Sequence, residues 1–249
     1  MITPNYQQEN APMLLLLENE RIVEIVLAGK TEWKIGRNIP ESRTPPDITF
    51  SSPIVSRDHG SLYTFNGQWF YVDNPKNRNG TFHNGKKIPR PMNGMKRPTL
   101  LMNGDTLRID NEDLNQVSSH GVLMLFSTVP VEGAWTTYLF RKNITLIGSS
   151  KACNICDPLS SMSAKHAKII YINSNYYLSD INSSSGTFLN GQKINTSVIL
   201  REKDHIMLSG CHMFFLGNKL LYNRKGAQKG ILHQIAKKLG FHKSKNSLD

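Results

Sequence analysis

The second half of this chain repeats the first half, and this repeat constrains the fold more than any other feature. The segment R57-D-H-G-S-L-Y-T-F-N-G-Q-W-F-Y-V-D73 matches A164-K-H-A-K-I-I-Y-I-N-S-N-Y-Y-L-S-D180. Further along, N79-G-T-F-H-N-G85 matches S185-G-T-F-L-N-G191. A chain of 249 residues is long enough for two domains of ordinary size. The repeat therefore predicts two homologous domains in tandem, joined near residues 129–133.

Short strands separated by turns account for nearly the whole of each copy. The clearest hairpin runs from His59 to Asp73 around N66-G67, because Asn-Gly favours the tight turn that strand twist requires. Residues 13–28 read as two strands joined by a polar turn. With no convincing helix in either copy, the pattern predicts a β-sandwich or barrel.

The net charge of +11 is concentrated near the C-terminal end. Residues 221–249 hold seven Lys and Arg and one Asp, a net charge of +6. Within this tail, residues 230–241 have a helical apolar pattern with Lys237 and Lys238 towards the other side. Such a segment can dock on an acidic partner, a membrane surface or nucleic acid, or it is a solvated, frayed end.

The cysteine content and the longest apolar run predict a cytoplasmic location for the protein. Three cysteines, an odd number, argue against a disulfide framework and for a reducing compartment. The apolar run 13–17 is too short to span a bilayer and lacks the basic flank of a signal peptide.

Cys153 and Cys156 suggest a metal or redox pair, but in a strand they would point to opposite faces. We therefore expect no metal and no cofactor.

Polar residues and glycines cluster at both ends of the clearest hairpin. Ser56 precedes it and His59 begins it, the segments 79–81 and 84–85 follow it, and Gly36-Arg37 ends an earlier strand. Strand ends of a sandwich lie together at one edge, so these loops are expected to face a common ligand. An arginine, a serine hydroxyl and an asparagine amide suit a phosphate-bearing peptide.

Taken together, G36-R37, S56-x-x-H59 and N79-G80-T81-x-x-N84-G85 resemble the forkhead-associated (FHA) domain. The resemblance covers about residues 12–128 and again about 134–219. That family is an all-β sandwich of eleven strands in two sheets that binds phosphothreonine peptides. The resemblance implies an all-β protein of two tandem FHA-like β-sandwiches, at 12–128 and 134–222, followed by a short basic tail at 223–249.

The same resemblance implies a phosphothreonine site in the first copy. Arg37 would offer a planar fork of donors to the phosphate, and the Ser56 hydroxyl would add a further hydrogen bond. Asn79 would hold the peptide backbone, and Arg57 and Arg78 could add contacts to phosphate or acidic residues. We expect the remaining motif residues to support the loops: Gly36, His59, Gly80, Thr81, Asn84 and Gly85.

The second copy departs from the pattern at the two residues that matter most. Ser149 stands where the first copy has Arg37, and Ser185 stands where it has Asn79, although Ser163 and His166 remain. We therefore expect this copy to have lost phosphothreonine binding and to serve a structural role or a phosphate-independent contact. Compensation by Lys151 or Lys165 is the alternative.

The sequence leaves two classes of function open after an enzyme is set aside. A catalytic role for Ser56 and His59 would need a third group and an oxyanion hole, and no G-x-S-x-G elbow is present. The first class is a non-enzymatic signalling adaptor that binds phosphothreonine proteins in a Ser/Thr kinase pathway. The second is a phosphate-independent scaffold whose basic tail targets nucleic acid, a membrane surface or an acidic partner.

Overall fold

The computed structural model describes residues 11–224, apart from 19, 41–42, 90–96, 112–119, 130 and 132–133. Throughout this described part, the regular elements are all β-strands, eleven in each half. The first half contains β1 (Met13–Glu18), β2 (Arg21–Val26), β3 (Glu32–Arg37), β4 (Ile48–Phe50), β5 (Gly60–Phe65), β6 (Gln68–Asp73), β7 (Phe82–His83), β8 (Lys86–Lys87), β9 (Thr99–Leu101), β10 (Thr106–Ile109) and β11 (Val122–Ser127). The second half contains β12 (Ala134–Leu139), β13 (Ile144–Gly148), β14 (Ile155–Cys156), β15 (Ala167–Ile172), β16 (Asn175–Asp180), β17 (Thr187–Leu189), β18 (Gln192–Lys193), β19 (Val198–Ile199), β20 (His205–Leu208), β21 (Cys211–Phe215) and β22 (Lys219–Arg224).

The sheets form two sandwiches, one from β1–β11 and one from β12–β22, called here the first and second units, and the chain passes from the first to the second near Val131. In the first unit, one sheet has the order β2-β1-β11-β10-β7-β8 and the other has the order β4-β3-β5-β6-β9. Strands β3 and β4 pair in parallel, and β3, β5, β6 and β9 pair as antiparallel neighbours. The predicted all-β sandwich architecture is therefore confirmed.

The core of the first unit is made by residues from both of its sheets. In β3, Trp33 and Ile35 are buried while Glu32 and Lys34 are exposed, because successive side chains of a strand point to opposite faces. The buried cluster combines Leu14, Leu16, Leu107, Met124 and Phe126 from the first sheet with Trp33, Ile35, Leu62, Tyr71 and Leu101 from the second. This core fixes the strand ends from which the loops of the site emerge.

Asn-Gly turns close two hairpins of the first unit. Asn66 and Gly67 join β5 to β6 with φ angles of 48° and 74°, and Phe65 pairs with Gln68 across the turn. Asn84 and Gly85, with φ of 48° and 77°, join β7 to β8 in the same way. Both turns need left-handed backbone at two consecutive residues, which Asn tolerates and Gly prefers.

The sheets of the second unit have the same arrangement as those of the first, except that one strand position is filled by a C-terminal strand instead of an N-terminal one. Its sheets are β12-β22-β21-β20-β17-β18 and β14-β13-β15-β16-β19. The sequence repeat matches β12, β21 and β20 to β2, β11 and β10 of the first unit. The strand between the first two of these is the N-terminal β1 in the first unit and the C-terminal β22 in the second. Strand β22 ends at Arg224 and so includes two residues predicted to lie in the tail.

Of the tail, residues 225–249 lie outside the described part of the structure, and with them the predicted amphipathic segment at 230–241. Among the residues that are described, none belongs to a helix long and apolar enough to cross a membrane.

Candidate functional site

The end of β3 is held against the loop before β5 by a close backbone approach at Gly36. A Cβ atom at Gly36 would overlap the backbone carbonyl of Arg57. The amide of Arg37 donates to the carbonyl of Ser56 at 2.9 Å, and the amide of His59 donates to Ile35 at 2.9 Å. Only glycine permits this approach, which places Arg37 beside the loop of residues 53–58.

His59 supports the loop from a fully buried position. Its Nδ1 accepts a hydrogen bond from the backbone amide of Ser56 at 3.1 Å, and its side chain is 0% exposed. Burial lowers the pKa of His59 below the ordinary 6.5, although the negative charge of Asp73 and the Gly80 backbone oppose this effect. The neutral imidazole that results is the form that can accept the Ser56 amide hydrogen.

Ser56 connects this loop to the β6–β7 loop. The Ser56 Oγ accepts a hydrogen bond from the backbone amide of Arg78 at 3.0 Å. Since the hydroxyl acts here as an acceptor, its own hydrogen is available to donate to a ligand.

Asn77, which the sequence interpretation missed, anchors the β6–β7 loop. It is 4% exposed, donates to the carbonyl of His59 at 2.9 Å and accepts from the amide of Gly80 at 3.0 Å. Its only signal in the sequence is a run with several asparagines, N74-P-K-N-R-N79, in which nothing distinguishes the buried residue from exposed ones.

Behind this loop, a buried hydrogen-bonded group holds Thr81. The Thr81 hydroxyl donates to Asp73 Oδ1 at 2.7 Å, and the Tyr71 hydroxyl donates to the same oxygen at 2.8 Å. Burial, together with the charge of Asp73, raises the pKa of Tyr71 well above its usual range. The tyrosine is therefore neutral, and its hydroxyl donates to the same carboxylate that binds Thr81.

Four of the five residues predicted to contact a phosphopeptide line one pocket of about 410 Å³: Arg37, Ser56, Arg57 and Arg78. Asp58, Asn74 and Lys76 line the same pocket, and the sequence interpretation did not include them. The Arg37 Nη1 donates to the carbonyl of Pro53 at 3.1 Å, which orients the guanidinium at the pocket wall. The predicted meeting of these loops at one edge is therefore observed, while their binding role stays a prediction.

The other predicted site residues lie beside this pocket or away from it. The Asn79 side chain donates to the backbone carbonyl of Ile54 at 2.7 Å, so in this structure it braces the loop that carries Ile54. Asn84 donates to Asp105 at 2.7 Å and accepts from the amide of Thr106 at 2.9 Å. Asn84 therefore secures the β7–β8 turn to the start of β10, and Gly85 completes the turn with φ of 77°.

The Ser56–His59 pair is not arranged as a nucleophile and its base. The imidazole contacts the backbone amide of Ser56, and the hydroxyl contacts the backbone amide of Arg78. The second unit repeats this arrangement, with Ser163 N donating to His166 Nδ1 at 3.2 Å. Catalysis by a serine needs its Oγ bonded to the imidazole, so the geometry fits a shared loop support.

The second unit preserves the backbone frame of the site without its charged side chains. Gly148 approaches the carbonyl of Ala164 as Gly36 approaches Arg57. The amide of Ser149 donates to Ser163 at 3.1 Å, and Ser163 Oγ accepts from the amide of Ser184 at 3.0 Å. Ser149, Ala164 and Ser184 occupy the sequence positions of Arg37, Arg57 and Arg78, so three guanidinium groups are lost.

The sequence predicts that both cysteines of the C153-x-x-C156 segment lie in a strand, but in the structure only one of them does. Only Ile155 and Cys156 form β14, and Cys153 lies in the preceding turn. Their thiols contact different backbone carbonyls, those of Ala164 and Ser149. Within the described residues, no three His, Cys, Asp or Glu side chains are grouped to hold a metal ion.

Among curated proteins, an uncharacterized protein of Schizosaccharomyces pombe is 32% identical over 105 residues, which cover 39% of this chain and 35% of that protein. The chain therefore spans about a third of the length of this relative.

Among solved structures, full-length yeast Pml1p is 18% identical with a TM-score of 0.40, over 49% of this chain and 85% of that one. The N-terminal FHA domain of Saccharomyces cerevisiae Rad53p, solved with a phosphothreonine peptide, is 18% identical with a TM-score of 0.36, over 46% of this chain and 92% of that one.

The family model for the FHA domain matches this chain twice, at residues 33–110 and 145–209. Each match falls within one of the two sandwiches and together they cover more than half of the chain. The chain therefore belongs to the FHA domain family and carries two tandem copies of the domain.

Proposed function

We propose that this protein is a non-enzymatic adaptor whose first FHA domain binds phosphothreonine peptides and so acts downstream of a Ser/Thr kinase. The observation that supports this most directly is the single pocket lined by Arg37, Ser56, Arg57 and Arg78. These residues come from three separate segments of the chain, and hydrogen bonds of the buried His59 and Asn77 side chains hold two of those segments in place.

The donors of the pocket match the chemistry of a phosphate ester. A phosphothreonine carries a charge of about −1.5 to −2 and three strong acceptor oxygens. The guanidinium of Arg37 can bond two of these oxygens, since its donors form a planar fork. The hydroxyl of Ser56 can donate to the third, because the bond it receives from Arg78 leaves its hydrogen in place.

The expected affinity is moderate. Hydrogen bonds to a charged group contribute about 1.5–3 kcal/mol each. Two or three of them, less the free energy needed to order a peptide, correspond to dissociation constants on the order of micromolar. That range suits a reversible signal that a phosphatase can end.

Affinity capture from a degenerate phosphothreonine peptide library tests this proposal, with the wild-type chain and Arg37→Ala compared side by side. We expect capture by the wild type, none of the unphosphorylated library, and a loss of at least about tenfold in Arg37→Ala. Lys86→Ala is the matched control, because it removes one exposed positive charge on β8 without changing the pocket lining.

Two results would favour the phosphate-independent scaffold. One is binding of peptides that does not depend on the phosphate, or that survives Arg37→Ala. The other is salt-dependent binding to nucleic acid that disappears when residues 225–249 are removed, since counterion release makes such binding fall steeply with salt.

A further inference from the structure

The pocket of the first domain carries more positive charge than one phosphate neutralises. Among the described residues that line it, Arg37, Arg57, Lys76 and Arg78 are basic and Asp58 is acidic, which gives these residues a formal net charge of +3. A phosphothreonine brings about −1.5 to −2. For the described lining, about one formal positive charge or more therefore remains when a single phosphate is bound.

The surplus charge faces the pocket from both of its walls. Ser56 and Arg57 belong to the loop before β5, and Lys76 and Arg78 belong to the β6–β7 loop. The hydrogen bond between Ser56 Oγ and the Arg78 amide joins the two loops at 3.0 Å. Arg57 on one loop and Lys76 on the other therefore line the same pocket as Ser56, and both side chains are exposed.

Asp58 does not cancel this charge through a local ion pair. Its Oδ2 accepts from the side-chain amide of Asn74 at 2.6 Å, and Asn74 Oδ1 accepts from the backbone amide of Lys76 at 2.9 Å. The asparagine thus holds the acidic residue and the backbone of Lys76 in fixed positions. In the described part of the chain, no salt bridge joins Arg57 or Lys76 to a carboxylate.

The surplus is specific to this copy of the domain and does not follow from the fold. At the sequence positions of Arg57 and Arg78 the second unit has Ala164 and Ser184, while Lys165 occupies the position of Asp58. The backbone frame is nevertheless the same, with Ser184 N donating to Ser163 Oγ at 3.0 Å.

We propose that the ligand of the first domain carries a second anionic group close to its phosphothreonine, and that Arg57 and Lys76 select for it. This inference rests on the proposed function, since it assumes that Arg37 and Ser56 take the first phosphate. The second group is either another phosphate or an acidic side chain. Arg57 would bind it with paired donors and Lys76 as a point charge. Lys76 is thus a specificity-determining residue that the family motif does not include.

Fluorescence anisotropy with the full chain tests the inference. The parent probe is a phosphothreonine peptide with neutral neighbours, chosen from the library capture. A second phosphoserine, or in a separate series an aspartate, is placed at each of roughly four positions on either side, about 13 Å of extended chain. We expect one or two positions to tighten binding about five- to twentyfold, as two exposed charge pairs would. The phosphoserine and aspartate series distinguish the two sources of charge.

Variants identify the residues responsible for any gain. For each variant the gain is the ratio of the dissociation constant of the parent peptide to that of the peptide with two anionic groups. In Arg57→Ala, Lys76→Ala and the double variant, we expect this ratio to fall stepwise towards one, whatever the change in affinity for the parent peptide. Lys86→Ala, with the same loss of charge, should keep the whole gain.

If no position tightens binding by more than about twofold while the parent peptide still binds, the inference is overturned and the proposed function stands. A gain that survives the double variant also overturns the inference, since residues other than Arg57 and Lys76 then bind the second anionic group. If no phosphothreonine peptide binds at all, with one anionic group or with two, the proposed function itself fails.

Discussion

The protonation state of the buried His59 affects the stability of the loop that carries Ser56, because only the neutral imidazole can accept the Ser56 amide hydrogen. Because burial holds its pKa below 6.5 in the folded protein, the unfolded chain takes up this proton first as the pH falls. The stability that the neutral imidazole provides is fully present above about pH 6.5 and declines as the pH falls from there towards the folded-state pKa.

We therefore expect the free energy of unfolding of the first domain to be lower at pH 5.5 than at pH 7.5, as measured by urea denaturation. His59→Gln should reduce this difference, because an amide oxygen can accept the Ser56 hydrogen and does not titrate. An NMR titration in which the His59 ring has a pKa above 6.5 would contradict the assignment.

Gly36 and Gly148 occupy equivalent positions in the two domains. In each, a Cβ would overlap a backbone carbonyl, of Arg57 in the first domain and of Ala164 in the second. Alanine at either position should destabilise its own domain by about 1–3 kcal/mol, as overpacking usually does. Thermal unfolding measures this loss, and peptide binding below the transition should weaken only in Gly36→Ala. Equal weakening in Gly148→Ala would show that the loop held by Gly36 is not the binding loop.

At the residue scale, the sequence predicted side chains with distinctive chemistry better than side chains with ordinary chemistry. Arg37 and Ser56 were predicted because a cation and a hydroxyl at spaced turns suggest phosphate. Asn77 and Lys76 were missed, since an asparagine or lysine in a polar loop has no mark of burial or of facing a pocket. Asn79 was predicted to hold a peptide backbone, and the structure shows it bonded to the backbone of Ile54.

At the level of elements, β22 completes the second sandwich. It lies between β12 and β21 in the sheet, and Leu220, Leu221 and Tyr222 are each at most 9% exposed. Burial of three such side chains contributes roughly 4–9 kcal/mol. That amount is comparable with the whole stability of a domain, about 5–15 kcal/mol.

A chain ending at Gly217 should therefore lose the fold of its second domain, while a chain ending at Arg224 should keep it. The amide dispersion of a ¹H–¹⁵N NMR spectrum measures this directly. Retention of dispersed second-domain resonances in the shorter chain would show that the sheet does not depend on β22.

The sequence predicts hairpins more reliably than sheet order. The Asn66-Gly67 and Asn84-Gly85 turns were predictable because the residue pair itself favours the positive φ angles that the turns require. The replacement of β1 by β22 was not, since the partner of a strand is set by long-range pairing that leaves no local pattern. Apolar strands at either end of a repeat look alike in sequence.

At the scale of the whole molecule, the chain contains two copies of one backbone frame with different side chains at the site. The bonds of Ser163 and Ser184 in the second domain reproduce those of Ser56 and Arg78 in the first. The difference between the copies was visible in the sequence as Ser149 and Ser185, whereas the preserved frame needed the structure. The β13–β14 connection of the second domain, residues 149–154, is also shorter than the β3–β4 connection of the first domain, residues 38–47.

Restoring the two side chains should restore some binding. In an Arg37→Ala background, where the first site is disabled, we expect Ser149→Arg with Ser185→Asn to give measurable affinity for phosphothreonine peptides by calorimetry. The affinity should be weaker than that of the wild-type first domain, because the shorter β13–β14 connection offers less surface to a peptide. The single change Ser185→Asn is the control and should give none. No gain in the double variant would show that the frame alone does not make a site.

The central claim is that one of the two domains binds phosphothreonine and does so at the loops of Arg37, Ser56 and Arg78. A ¹H–¹⁵N NMR titration of the full chain with a library-selected phosphothreonine peptide tests it most directly. We predict shifts of the backbone amides at these three residues, none at Ser149, Ser163 and Ser184, and none at either set with the unphosphorylated peptide. Shifts centred on the second set, or identical shifts without the phosphate, would contradict the claim.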